Sequence, residues 1–522
     1  MRALAILLAA LAAGACGGGP AADDGVDAPR PQPGVDVREV RAEVRLDPET
    51  LALDATATLD VAHPDSLRAL VLGLDDALEV VTVHVGGAGA LFWREGDALH
   101  VPLPEAPAAG GRRQSSVEVA YRGTPQAGLY ADDALGQRVV FTDGWPDRTA
   151  GWLPAVHHPS DPARLDLTLV VPAAREVVAS GRAVSDSVAG GRRWARFVLD
   201  TDAPPYTWAF AVADFAVTEQ AGSVPIRHAL LAGDAGRASL LSRTPSVIAT
   251  LAEWLGPYPY RTYATVQVPM AYAGMENAAA PFLRADLYAA QADGRNPTEE
   301  VNVHEVVHQW WGNAVVPADW RDLWIAEGAA TFLTTEVYRR LDGADAGRRF
   351  RTLMSRQIGA EDAAARLVPA AYADPADVLS PTVYQKGGAV FYLLRLTLGE
   401  DAFYRALRRV QRDHADRPLS TDAFRRALEA SSGRDLGPLF RRWVTGTGLP
   451  TLRTRWDRAT RTLAWELAGD DGTLAGLPFE LYVRQGDDAR FVPVTDGVVG
   501  LDGDERPTVE PVGVLLTVER AR

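Results

Sequence analysis

Hydrophobic and polar residues alternate with a period of two through much of the first 217 residues. In LALDATATLDV (residues 51–61), Leu51, Leu53, Ala55, Ala57, Leu59 and Val61 share one face. Asp54, Thr56, Thr58 and Asp60 share the other. That is the pattern of a strand in a half-buried antiparallel sheet. LDLTLVVP (165–172) and RRWARFVLD (192–200) behave alike, with turn residues such as AGGRR between strands. The pattern predicts one N-terminal antiparallel β-domain over 37–217. Beyond it the period changes. TPSVIATLAEWLG, DLWIAEGAATFLTTEVYRRL, YQKGGAVFYLLRLTLG and STDAFRRALEASSG have helical spacing, and TYATVQVP reads as a strand. This predicts a mixed α+β domain over 218–446. From 447 to 522 the segments TLRTRWDRATRTLAWELAG, FELYVRQ and GVLLTVER return to strand-like patterning, which fits a small C-terminal β-sandwich.

Length agrees with several domains, because 522 residues exceed what one core holds. The first residues follow another logic. MRALAILLAALAAGAC has a positive start, an apolar run too short to span a bilayer, and Cys16, the chain's only cysteine. The stretch resembles a lipoprotein signal over 1–16 with Cys16 as the lipid-modified residue. Residues 17–36, rich in Gly, Pro, Ala and Asp, read as a flexible tether. The expectation is an exported protein of the bacterial cell envelope, lipid-anchored on the periplasmic side or the cell surface. No disulfide framework is available to a chain with one cysteine.

A formal charge of −15 argues against nucleic-acid binding. Of the 53 Lys and Arg residues only Lys386 is lysine; most of that is compositional bias, but the lone lysine points to a position where the two cations are not interchangeable.

The chemistry concentrates in NPTEEVNVHEVVHQWWGN. Asn296 can cap a helix, Pro297 suits its first position, Glu299 its third, and Gly312 and Asn313 suit its end. A helix over 297–311 follows. His304 and His308, at i and i+4, then share a face and can bind one ion. Glu305 lies about 100° around the helix and can approach an attacking water without being a ligand. The plain alternative is an apolar helix carrying two core histidines. What favours a metal is a third ligand: Glu327 follows His308 after eighteen residues, in a helix that can return beside the first across a turn broken at Pro317. His304, His308 and Glu327 then form the three-ligand site of a catalytic zinc, one per chain, with Glu305 as base.

These residues resemble the zinc aminopeptidases of the aminopeptidase N and leukotriene-hydrolase type. HEVVHQWWGN and WIAEGAA are similar to that family's HE-x-x-HQW-x-GN and WL-x-EG-x-A. AGMEN (273–277) resembles its exopeptidase motif G-x-M-E-N, and YQKGG (384–388) its Y-x-K-G. The resemblance implies a thermolysin-like catalytic domain. It implies that Glu276 binds the substrate's free α-amine, that backbone near Gly274 pairs with the substrate, and that Tyr384 stabilises the tetrahedral intermediate. The substrates implied are peptides with a free N-terminus, with no protein partner. The alternatives are an epoxide or other hydrolase on the same site, or an inactive binding protein. Three departures stand out. FTDGWPD puts Trp145 where many members carry an acid or a Gln near the amine, so that either one amine anchor is missing or Asp143 or Asp147 substitutes for it. Ala326 stands where Asn is common. The large helical C-terminal domain of many members is not expected here, since strand-like segments follow residue 447.

Other prominent residues have plain readings. Trp310, Trp311, Trp320 and Trp324 are expected to pack around the zinc helices, His157 and His158 to be structural, and Arg339 and Arg340 to form a solvated helix face.

Overall fold

A computed structural model describes residues 31–104, 111–289, 296–415 and 417–521. The signal segment with Cys16, and the tether up to residue 30, lie outside the described residues. Among the described residues no helix is long and apolar enough to cross a membrane.

The N-terminal part is β-rich. Its main sheet has eight strands in the order 182–189, 192–203, 163–172, 36–46, 53–64, 112–123, 79–85 and 88–89. A four-stranded and a three-stranded sheet accompany it. The alternation of residues 53–61 appears as burial of Leu53, Ala55, Ala57, Leu59 and Val61. Leu51 is not part of that strand. It sits in the preceding turn at φ 60°, left-handed backbone that period-two counting cannot foresee. The main sheet is mixed rather than wholly antiparallel. Strand 36–46 pairs in parallel with 163–172, Glu39 opposite Arg164. A parallel pair needs a long crossover, here everything from 47 to 162, and local patterning is blind to it.

The second part opens with a five-stranded sheet ordered 215–220, 226–231, 263–268, 282–284 and 274–275. Its first strand begins at Phe215, three residues before the boundary drawn from the sequence. Gly274–Met275 is an edge strand, paired antiparallel to Phe282–Arg284 on one side only. Helices follow at Thr244–Leu255, Pro297–His308, Trp324–Asp342 and Gly387–Leu398, and several more lie around them. Two small sheets, of four and three strands, fill 451–520.

One apolar core runs from Trp145 and Tyr206 of the β-rich part, through Trp310, Trp320 and Phe391, to Phe479 and Leu481 of the C-terminal sheets. Trp310, Trp311, Trp320 and Trp324 are all buried within it. Trp145 meets Tyr206 and Trp320 edge to face, at 5.5 and 4.8 Å between ring centroids. The β-rich part thereby forms one wall of the region around the histidines.

His157 and His158 have structural partners, the Gly73 carbonyl and the Ser160 hydroxyl. Arg339 departs from a solvated face. It is half-buried and spans Glu336 and Glu400 at 2.7 Å each, whereas Arg340 is exposed.

Candidate metal centre and cleft

The histidine helix starts where its cap predicts. The Asn296 side chain accepts from the Glu299 amide at 3.1 Å, and Pro297 occupies the first turn. It ends at His308, not 311. Residues 309–313 leave the helix in a tight turn in which Gly312 adopts φ 108°, backbone that favours glycine. The early ending frees two side chains for other work. Gln309 Nε2 donates to the carbonyls of Glu276 and Glu305 at 3.3 and 3.1 Å, while its Oε1 accepts from the Ala279 amide at 2.8 Å. Asn313 Nδ2 donates to the Glu276 carbonyl at 2.7 Å. The residues just after the histidines thus clamp the loop that carries Glu276.

His304, Glu305, His308 and Glu327 are buried. The Nε2 atoms of His304 and His308 are 3.0 Å apart. Glu327 Oε2 lies 3.5 and 3.4 Å from them, and the three donor atoms fall within 4.8 Å of one another. His308 Nδ1 faces the Trp311 carbonyl at 2.9 Å, so it carries the hydrogen and Nε2 is left as a donor to a metal. Glu327 Oε2 is buried with no hydrogen-bond partner. Such an atom beside two facing imidazole nitrogens calls for a cation among the three. Electrostatics agree. Burial works against charge on both His308 and Glu327. The carboxylates of Glu327, Glu276 and Glu305 nevertheless hold the His308 imidazole up at about 10, and the two histidines hold Glu327 down at about 2. Burial dominates at His304 and lowers it. A cluster that favours positive charge at its centre, with two nitrogen donors and one carboxylate, fits zinc.

Glu305 and Glu276 are both pushed up, chiefly by burial and by the neighbouring acids, with His308 opposing. Gly274 lies against Glu305. A Cβ there would stand 2.8 Å from Glu305 Cδ and 2.7 Å from Val301 Cγ1, so the first residue of the GMEN motif must be small. Tyr384 is buried, its ring 6.2 Å from that of His304. Burial, then Glu327, Glu276 and Glu305, hold its hydroxyl well above the ordinary range, so it stays a donor. Trp145, Tyr272, Gly274, Met275, Glu276, Glu327, Leu379 and Tyr384 line one cleft.

The structure therefore brings together all seven residues singled out from the sequence. It also brings in some that sequence reasoning missed. Gln309 and Asn313 were visible only as motif flanks. Tyr206, from the β-rich part, is buried with its hydroxyl facing Glu276 and Glu327, and no local signal marks it. Neither Asp143 nor Asp147 lines the cleft. Asp143 pairs with Arg148 at 2.6 Å and accepts from the Trp145 amide, and Trp145 itself faces the cleft.

Comparison with known proteins bears on the same region. Residues 241–443 match the peptidase family M1 domain. The chain is 30% identical over 209 residues to aminopeptidase N of Streptomyces lividans, across 38% of this chain and 24% of that one. It is 22% identical over 435 residues to leucyl aminopeptidase of Saccharolobus solfataricus, across 79% and 52%. The chain thus spans about half or less of the length of these relatives. An M1 zinc metallopeptidase of Deinococcus radiodurans has a similar structure, with TM-score 0.70 and 24% identity, covering 80% of this chain and 95% of that one. Yeast LTA4 hydrolase superposes with TM-score 0.71 at 20% identity, covering 80% and 69%. One Deinococcus structure holds a Tyr-Ser-Ala substrate. With the three donors, the spacing and the matched segment in agreement, residues 241–443 form a domain of the peptidase family M1 type, with a three-donor site that fits zinc.

Proposed function

We propose that the protein is an aminopeptidase that removes the N-terminal residue from peptides. The observation that carries this reading is the carboxylate of Glu276, buried in the same cleft as the metal triad and held by its own backbone through Gln309 and Asn313. A buried carboxylate at a cleft end is complementary to an ammonium, and a blocked N-terminus leaves it unpaired.

When bound by His304, His308 and Glu327, zinc supplies Lewis acidity toward a carbonyl and lowers the pKa of water. The chain's residues do the rest. Glu305 takes a proton from the attacking water and delivers it to the leaving amine. Tyr384 donates its O–H to the developing oxyanion. Glu276 fixes the α-amine, so that only the first peptide bond reaches the metal. The open edge of Gly274–Met275 offers its backbone to the substrate in strand fashion. The catalytic part is thermolysin-like in this reading, with a C-terminal β-sandwich behind it. The protein is exported and lipid-anchored through Cys16, a proposal supported by the sequence of residues 1–16.

Aminoacyl and N-acetyl-aminoacyl chromogenic amides, each with and without a chelator, test the activity. Cleavage of the free amine alone, abolished by the chelator, is expected. Equal cleavage of both would remove the exopeptidase reading. No cleavage by the zinc-loaded protein would favour a different hydrolase or a binding protein.

A further inference from the structure

Lys386, the chain's only lysine, has no part in the chemistry above. It closes a short π-helical turn, Thr382–Lys386, whose middle residue is Tyr384. Such turns are underwound and frequent at functional sites. This one is held from two sides. On one side Gly387 crosses the Glu327 helix at Gly328, so closely that a Cβ on Gly328 would meet the Gly387 carbonyl carbon at 2.7 Å. On the other side two donors reach the short helix Ala360–Ala364 and its end. Thr382 Oγ1 donates to the Asp362 carbonyl at 3.2 Å, and the Lys386 ammonium donates to the Ala365 carbonyl. That segment is fixed in turn to the end of the catalytic part. The Gly448 amide donates to Ala364 at 2.8 Å and the Leu367 amide to Val444 at 2.9 Å.

We propose that Lys386 is a positioning residue for Tyr384: its ammonium, with the Thr382 hydroxyl, anchors the π-helical turn to residues 362–365 and so fixes the tyrosine in the cleft that it shares with Glu327. The inference rests on the functional reading above. It also explains why a chain that uses arginine almost everywhere keeps one lysine. Lys386 is buried and its ammonium has a backbone carbonyl as its partner, with Arg442 nearby. An ammonium is compact, and burial lowers its pKa, here to about 8. A guanidinium would bring five donors in a fixed fork that no single carbonyl can satisfy, next to a second guanidinium.

The test is a double-mutant cycle in the zinc-loaded full chain. K386M keeps the stem and removes the donor. It should lower kcat by roughly 10- to 100-fold, as a misplacement near 1 Å does, with KM within about threefold and zinc content unchanged. K386R should not rescue it. In a Y384F background, K386M should cost nothing more, because it acts through the tyrosine. Hydrogen exchange of peptides spanning 379–390 should rise in K386M. If K386M does not fold, T382V removes the other tether and should give the same loss in kcat alone. The proposal is overturned by any one of three results: kcat within threefold of wild type, a loss that multiplies with Y384F, or unchanged exchange in a folded variant. A wild-type protein that cleaves no amide overturns the functional reading instead, and the clamp is then judged by exchange alone.

Discussion

Replacing Gly274 by alanine should disable the base while sparing the metal. The new Cβ would stand 2.8 Å from Glu305 Cδ and 2.7 Å from Val301 Cγ1. Ordinary carbon contacts are about 3.5–4.0 Å, so the carboxyl must retreat by about 1 Å. Val301 and Glu305 sit one turn apart on the same buried helix, so neither can yield by moving the backbone without disturbing His304 and His308. The carboxyl group is the flexible end and moves first. A shift of about 1 Å at a reacting group can cost 10²-fold, or about 3 kcal/mol in the barrier. Overpacking should cost a further 1–3 kcal/mol or so of stability. The measurements are kcat on an aminoacyl nitroanilide, zinc per chain by elemental analysis, and the thermal midpoint. We expect kcat lower by roughly 10²-fold with one zinc retained. In an E305Q background, G274A should add almost nothing, since both act on one step. A G274A enzyme with kcat within threefold of wild type would refute the claim that this glycine makes room for the base. Loss of zinc in parallel with kcat would refute it as well, by showing that the helix moved.

Three further outcomes follow from the same geometry. E305Q should keep its zinc and lose kcat by about 10²-fold or more, as expected for a missing general base; near wild-type turnover would take Glu305 out of that role. With Trp145 in the cleft and Asp143 committed to Arg148, the proposed amine site rests on Glu276, so E276Q should lower kcat/KM by about 10²–10³-fold and narrow the preference for free over acetylated substrates; an unchanged preference would assign the amine to another group. Asp161 Oδ1 accepts from the Val37 amide at 3.1 Å while its Oδ2 is buried without a partner. Burial pushes its carboxyl up to about 8. A raised folded-state pKa stabilises fully below the unfolded value of 3.8, and that stability is lost as pH rises through 8. D161N should therefore become more stable relative to wild type as pH goes from 4 to 8, by roughly 2 kcal/mol or more in denaturant melts; a difference that does not grow with pH contradicts it.

The metal triad was legible because its information is local. His304, Glu305 and His308 are set by helix periodicity, and Glu327 by one short connection. Gly274, Glu276 and Tyr384 were legible as motifs rather than from spacing. What escaped reading is long-range or backbone-mediated. The hold of Gln309 and Asn313 on the Glu276 carbonyl joins a side chain to a backbone more than thirty residues earlier. It exists because the helix ends at His308, three residues short of the end that the cap signals indicate. Trp145 and Tyr206 reach the cleft from the β-rich part, and alternating patterns there mark only which face is buried. The parallel pairing of 36–46 with 163–172 is invisible for a related reason: each strand reads the same whichever way its neighbour runs.

The central claim is that one zinc centre cuts only beside a free N-terminus. Its most direct test is the product series from an unblocked decapeptide and its N-acetylated twin, followed by mass spectrometry with the zinc-loaded protein. The account predicts stepwise loss of single residues from the free N-terminus, no change in the acetylated peptide, and neither reaction in the presence of a chelator. Internal cleavage of either peptide, or equal trimming of both, would contradict it.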